Sequence, residues 1–532
     1  MTEGDPWWEP SEEDPRVVSE RDELLQVLEE IGSMIPGDRW VRSQQIRYLG
    51  DIGRWPEAER IARECPDKEG WWCHALLGYV LHRSGEAVES LASFSEALDR
   101  MDPAQAQDWR DPYPLLEYPA SKWLRNPGEL GPAQAVDRFW ALADPLFLTP
   151  GNERLSEHFA RTFAFTLFDD SVLTMGLPWG SAFEQLLTRY GFVAGWERVP
   201  SEIGDGGLRK VVEHHHPESR GLLPPFEALE DPAGLPEGVW VPDDDRPRTA
   251  SAPVRAPLIA RGEAQTAVFR RSGNLLVLAS YAVPKDTVLR QRRPQPASVP
   301  GLGFLSPDRT PEHRPLWEPS IEGFSPDTLS GLFLLADTGS WAPFVAFGSG
   351  GEGVLQVEAP PGGYLLSVEQ WCPAGRWGSR VRQGVSAAVI PPDVPHLSDL
   401  LLMDRGETLP ETLSEAAPRM RATTELHSEN RVTVGWEAYG LGRRGEPLTF
   451  SLSLVEEEGS LVRRALKRIG LFRKPPVLTL TWVEEGVARS GPRFRAIDVD
   501  LPRLREGRYV LRLEMAIPYR SKVMSNRRIT VS

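Results

Sequence analysis

The chain has 532 residues, 40% of them hydrophobic, and a formal net charge of -16 at pH 7. That length exceeds one hydrophobic core and points to three or four domains at about 150 residues each. The acidic balance argues against a nucleic-acid partner, since phosphate binding needs a concentrated basic surface, and no apolar run reaches the ~18 residues of a membrane-spanning helix.

Residues 1–14, MTEGDPWWEPSEED, read as a disordered acidic tail that lacks the basic and apolar regions of a signal peptide. From 15 to 125 the apolar spacing is helical. Val17, Val18, Leu24, Leu25, Val27, Leu28 and Ile31 place one helix over 15–31, ahead of Pro36 and Gly37. Two helix pairs follow. In the second, Leu77, Gly78, Leu81, Gly85, Phe94, Ala97 and Leu98 resemble the tetratricopeptide pattern, in which small residues let antiparallel helices approach. Leu49, Gly53, Ala58 and Ala62 of the first pair match it more loosely. Such pairs bury their faces only by stacking, so a short α-solenoid with a cap at each end is expected.

Cys65 and Cys73 bracket the connection between these pairs, while Cys372 stands far downstream. If Cys65 closes one helix and Cys73 opens the next, their Cα atoms fall within the roughly 4.4–6.8 Å that a disulfide needs. A bridge implies an oxidising compartment, hence periplasm or cell surface and a start upstream of Met1. Free thiols imply cytoplasm.

Residues 126–257 form the centre of the chain. Helices are expected over 132–142, from Asn152 to Leu167 and over 181–190, followed by strands near 195–199 and 208–216. Asn152 is placed as an N-cap, and Glu157 with Arg161 as an i,i+4 ion pair. The run FW-x-x-x-DP-x-x-x-TPGNERLSEH-x-x-R, with Asn152, Glu153 and Arg161, is followed by the turn Trp179–Gly180 and by Arg189, Tyr190 and Gly191. Over about 130–220 this resembles the bacterial GWxTD-domain family, which carries no established activity. The resemblance implies helical repeats before this domain and β-sandwich modules after it. The chain departs from the family at its naming motif, where it has Pro178, Trp179, Gly180, Ser181 and Ala182.

From 217 to 257 the chain is Pro-rich and acidic, an irregular connection. Beyond it the 49 prolines and 47 glycines of the chain suit a turn-rich β half. A first β-sandwich module is expected over 258–404, led by a hairpin whose strand Leu275–Ala282 is apolar on both faces. A linker over 405–420 leads to a second module over 421–532. There Val432, Val434, Trp436 and Leu448, Phe450, Leu452, Leu454 alternate as in an immunoglobulin-like sandwich. The fold class is therefore multidomain α+β.

Four constellations bear on chemistry. His214 and His216, in KVVEHHHP, share one strand face about 6.6 Å apart, which suits a shared zinc with His158 or Glu157 as third ligand. Strand-end histidines before a proline also cap backbone groups or pack on aromatics, and no His-Glu-x-x-His or Cys-x-x-Cys spacing accompanies these. Asn152, Glu153, Glu157, His158 and Arg161 either do acid–base work or serve a helix start and one ion pair. Gly348, Gly350 and Gly353 satisfy G-x-G-x-x-G, yet a strand follows where phosphate binding needs a helix, and Ser386 lacks the closing glycine of a nucleophile elbow. Finally, 461–474 is basic and amphipathic, with Arg463, Arg464, Lys467 and Arg468 set to meet a membrane surface or an acidic partner, or simply to face water.

Together these readings describe a non-enzymatic interaction or scaffold protein of the cell envelope or surface, without a cofactor, that binds a protein partner through its helical repeats. The alternative is a zinc-dependent hydrolase built on His158, His214 and His216.

Overall fold

The computed structural model describes residues 14–168, 180–200, 209–215, 223–240, 258–283, 328–336, 341, 343–373, 377–426, 431–441, 446–457, 476–485 and 492–531. It is a multidomain α+β protein in which helices come first and antiparallel sheets follow.

The helical body opens with α1 (Pro15–Met34), α2 (Arg39–Asp51), α3 (Trp55–Arg63), α4 (Trp71–Ser84), α5 (Ala87–Arg100) and α6 (Pro103–Arg110). Asp14, Asp38 and Asp102 each accept a hydrogen bond from a first-turn N–H, so α1, α2 and α6 start where a carboxylate cap precedes them. α4 ends at Gly85, whose φ of 94° is the left-handed C-cap conformation. The expected close approach is present: a Cβ on Gly78 would lie 2.9 Å from the Phe94 ring, and Ser90 Oγ donates to the Gly78 carbonyl at 2.8 Å. Cys65 and Cys73 form a disulfide with Cα atoms 5.7 Å apart, joining the end of α3 to the start of α4.

α7 (Ala120–Arg125), α8 (Pro132–Ala143), α9 (Glu153–Phe168) and α10 (Ser181–Tyr190) continue this half. α9 lies against α4 and α5, so Trp72, Leu76, Tyr79 and Phe94 share one core with Phe159, Phe163 and Leu167. α4 is therefore covered by α3, α5 and α9, which is why its sequence, WWCHALLGYVLHRS, has no polar stripe. β1 (Val193–Pro200) and β2 (Arg209–His215) then pair as an antiparallel ribbon, and the short α11 (Phe226–Glu230) packs near α8.

The first β unit contains β3 (Leu258–Arg261), β4 (Glu263–Arg271), β5 (Asn274–Ala282), β6 (Leu329–Ala336), β7 (Pro343–Ser349), β8 (Glu352–Ala359), β9 (Gly362–Cys372) and β10 (Trp377–Ala387). One sheet has the order β3-β10-β9-β6-β7 and the other β4-β5-β8. Leu275, Val277 and Tyr281 of the small sheet meet Leu332, Leu334, Leu366 and Val368 of the large one. The β4–β5 turn has Ser272 at φ 48° and Gly273 at φ 90°, the geometry of a tight hairpin. The glycines of the G-x-G-x-x-G run sit where β7 passes to β8 in the other sheet, with Gly348 and Gly353 close to Tyr281, rather than at a helix start.

The second β unit begins before its expected boundary. β11 (His396–Leu397) and β12 (Leu401–Met403) pair with β14 (Arg431–Tyr439), which also pairs with β17 (Arg493–Asp500). Facing them is the sheet β13 (Glu425–Leu426), β19 (Val523–Val531), β18 (Gly507–Ala516), β15 (Leu448–Glu456) and β16 (Leu478–Glu484). Trp436, Phe450, Leu452 and Leu513 fill the space between. Residues 405–420, expected as a linker, instead hold α12 (Leu413–Ala416), whose Leu413 and Ala416 are buried with Met420.

Both faces of the small sheet β4-β5-β8 are covered. Its second face, with Ala267, Phe269, Leu276 and Leu278, packs on Leu401, Met403, Leu413 and Phe494 of the second unit. The two-sided apolar pattern of β5 thus serves two cores at once. The outer face of the large sheet, meanwhile, receives the helical half: Phe139, Leu142, Leu229 and Trp240 pack on Phe333, Leu335 and Leu365.

Two outcomes are expected. Alkylation of unreduced, denatured protein labels one thiol, Cys372, and reduction costs the helical body about 2–3 kcal/mol, read by urea unfolding with and without reductant. Arg382→Leu, which strands the buried Glu369 carboxylate (both side chains 0% exposed), lowers stability by about 3–5 kcal/mol in the same assay.

Candidate functional site

α9 carries most of the polar residues singled out in the sequence, and it starts as its sequence dictates. Asn152 Oδ1 accepts from Leu155 N at 2.9 Å while its Nδ2 donates to the Trp140 carbonyl at 2.7 Å, so one amide caps α9 and ties it to α8. From there the side chains diverge around the helix.

Glu157 takes the inward face. Its Oε1 accepts from Arg161 Nε at 2.6 Å, the expected i,i+4 pair, and its other oxygen contacts His82 Nε2 of α4. His82 Nδ1 lies 2.8 Å from Ser156 Oγ. Ser156, His82 and Glu157 therefore stand in the order of a hydrolase triad. Ser156 is 0% exposed, however, and its hydroxyl also donates to the Glu153 carbonyl, so the array is enclosed. Burial alone raises the Glu157 carboxyl, but Arg161 and His82 outweigh it and hold the group below the usual carboxylate range. Arg161 extends the network to α10, donating from Nη1 to the Thr188 carbonyl at 2.9 Å. Gly191 closes α10 at φ 83°, with its Cα so near that a Cβ would lie 2.9 Å from Arg161 Nη2. Arg189 Nε donates to the Pro114 carbonyl at 3.1 Å, and Tyr190 is half-buried. Gly180 precedes α10, and its carbonyl accepts from Phe183 N and Glu184 N.

His158 faces α6 and α8. Its Nε2 lies 2.9 Å from the Trp109 carbonyl and so carries the proton, and its ring packs 4.7 Å from that of Trp140 and against Phe159. Burial first, then the nearby Arg154, push it down to about 3, so the imidazole is neutral. One ring nitrogen of His158 is thus committed to a backbone carbonyl, in a wall of aromatic rings. His214 lies on β2 opposite Gly195. His216, Trp179 and the basic residues Arg463, Arg464, Lys467 and Arg468 lie outside the described residues. Among the described residues no group of three or more His, Cys, Asp or Glu is arranged to hold a metal, and no helix is long and apolar enough to cross a membrane.

A second polar cluster, which the sequence did not flag, joins the helical half to the large sheet. Arg382 donates from Nη1 to the Leu142 carbonyl at 3.0 Å and from Nη2 to Glu369 Oε1 at 3.1 Å. Arg380 Nη1 donates to the Pro145 carbonyl at 2.7 Å, and Glu369 Oε2 accepts from Leu148 N at 2.9 Å. These groups satisfy the backbone of the α8 C-terminus and the turn after it, with the cations at the negative end of the helix. Glu153, at the edge of this cluster, is pushed up to about 7, chiefly by burial.

No protein-family model and no curated protein matches the chain. Among solved structures, the PmoD soluble domain from Methylocystis sp. aligns with 27% of this chain and 94% of its own at 10% identity, with a TM-score of 0.16. Escherichia coli alpha-2-macroglobulin activated by porcine elastase aligns with 51% of this chain and 23% of its own at 10% identity, with a TM-score of 0.13. Overlaps this slight carry no argument about fold or activity.

Two of the perturbed groups on α9, His158 and Glu153, give opposite pH dependences. His158, lowered from 6.5 to about 3, contributes stability that is complete above pH 6.5 and lost as the unfolded chain takes up the proton below it. Glu153, raised from 4.5 to about 7, is most favourable below pH 4.5 and costs stability as pH rises through 7. The destabilisation caused by His158→Gln should therefore shrink by about 2 kcal/mol between pH 7 and pH 5. Glu153→Gln should stabilise at pH 8 and do little at pH 4. Urea unfolding of both variants across pH checks the pair.

Proposed function

We propose that this chain is a non-catalytic interaction or scaffold protein of the bacterial envelope or cell surface, a divergent relative of the GWxTD-domain family. In this reading the helix pairs are tetratricopeptide-like and the second β unit is an immunoglobulin-like sandwich. The observation that carries it is the burial of both faces of β4-β5-β8, with the opposite end of the first β unit held by the Glu369–Arg382 cluster. Joints of this kind hold distant surfaces in fixed relation, which is what a scaffold requires. The disulfide fits an oxidising compartment.

α9 packs on α4 and α5 and covers the surface they would otherwise offer, so the partner meets the helical body elsewhere. The α1–α2 corner presents Met34, Ile35 and Trp40 at 72, 47 and 59% exposure, an apolar group open to a protein partner. The basic stretch 461–474, entered from β15 and left into the edge strand β16, is assigned to an anionic membrane surface.

A photo-crosslinking residue at position 40, expressed in the native host, should trap one discrete envelope protein, and none when placed at buried Leu76. Reversing Arg463, Arg464, Lys467 and Arg468 to Glu should abolish flotation with anionic liposomes. A stoichiometric zinc ion in tag-free protein, lost on mutation of His214 and His216, would overturn the non-catalytic reading.

A further inference from the structure

Arg154 is the second residue of α9 and is 2% exposed. Its Nη1 is fully buried and has no acceptor from the protein. Glu157, the carboxylate that acts on it, is already engaged by Arg161 and His82, and Arg161 repels it; burial and that repulsion pull the Arg154 guanidinium down to about 9. Two arginines thus share one carboxylate in an enclosed space, which leaves one positive charge without a counter-charge. An isolated buried cation is among the costliest arrangements a fold contains.

One turn along the same helix, His158 Nδ1 is also buried without a partner. Because Nε2 donates to the Trp109 carbonyl, Nδ1 holds a lone pair and needs a donor. The first turn of a 16-residue helix adds its own positive potential. A guanidinium with one buried, unpartnered nitrogen, an unpaired imidazole acceptor one turn away and a helix start describe one ligand chemistry: negative charge of one unit, small size, and an O–H.

We propose that Arg154 and His158 form a buried site for a small monovalent oxyanion that bears a proton, of the bicarbonate class. Its oxygens accept from Arg154 Nη1, and its hydroxyl donates to His158 Nδ1. A halide or formate supplies the charge but not the donor, so each binds more weakly. The site would make the helical body depend on its anion.

Thermal unfolding at fixed pH and ionic strength in sodium gluconate, chloride, formate, sulfate and bicarbonate tests this. Bicarbonate should raise the midpoint by about 3 °C or more over gluconate at saturation, with chloride and formate between. Arg154→Met should show no difference between bicarbonate and gluconate. A response that persists in Arg154→Met, or that is largest in sulfate, is a bulk salt effect and overturns the proposal. Should that variant fail to fold, a wild-type crystal soaked in bicarbonate decides: density for a planar anion between Arg154 and His158 supports the site, and its absence overturns it.

Discussion

The ion pair between Glu369 and Arg382 is the contact on which the assembly of this chain turns. Both side chains are 0% exposed, and each also binds backbone from the far side of the interface: Arg382 the Leu142 carbonyl, Glu369 the Leu148 amide. A helix end leaves carbonyls without partners, and burying such an end is costly unless something supplies donors. Here the donors come from a strand some 240 residues later. Neither the α8 end nor the β9–β10 pair is satisfied alone, so the helical half and the first β unit complete one another.

That joint also explains the glycines opposite it. On the side of β10 that faces the helical half, Gly378 and Gly384 flank Arg380 and Arg382. A Cβ at Gly384 would lie 2.2 Å from the Ala233 carbonyl, and one at Gly378 2.7 Å from Leu146. The strand thus offers long cations where the chain needs donors and bare backbone where it needs room. The glycine positions follow from the close approach rather than from any turn.

Local periodicity is what the sequence made legible. α9 and α10, the β4–β5 hairpin and the alternation of β14 and β15 all announce themselves within a dozen residues, and so do the Asn152 cap and the Glu157–Arg161 pair. Ser367, Glu369, Arg380 and Arg382 did not, because alternating polar residues in an antiparallel strand ordinarily mark the face turned to water. Only tertiary structure shows that face covered by α8 and its turn. The contact between His82 and Ser156 was hidden for the same reason: 74 residues separate them, and nothing local marks either as the other's partner. The linker expected over 405–420 failed differently. Its Pro, Gly and Glu content reads as loop, while the few apolar side chains that pin it, Leu413 and Met420, become visible only against Phe269 and Leu278.

Buried charge at these two places is better understood as a constraint on arrangement than as a source of stability. A well-packed apolar substitute for Glu369–Arg382 or for His82–Glu157–Arg161 would often be as stable, since desolvation offsets much of the attraction. What an apolar interface lacks is a penalty for misalignment, because greasy surfaces slide at little cost. A guanidinium that must meet one carboxylate and one carbonyl at once admits a single register. Where the helical half meets the large sheet, that requirement fixes how the two sit together, and a fixed geometry is what the proposed scaffold role asks of the fold.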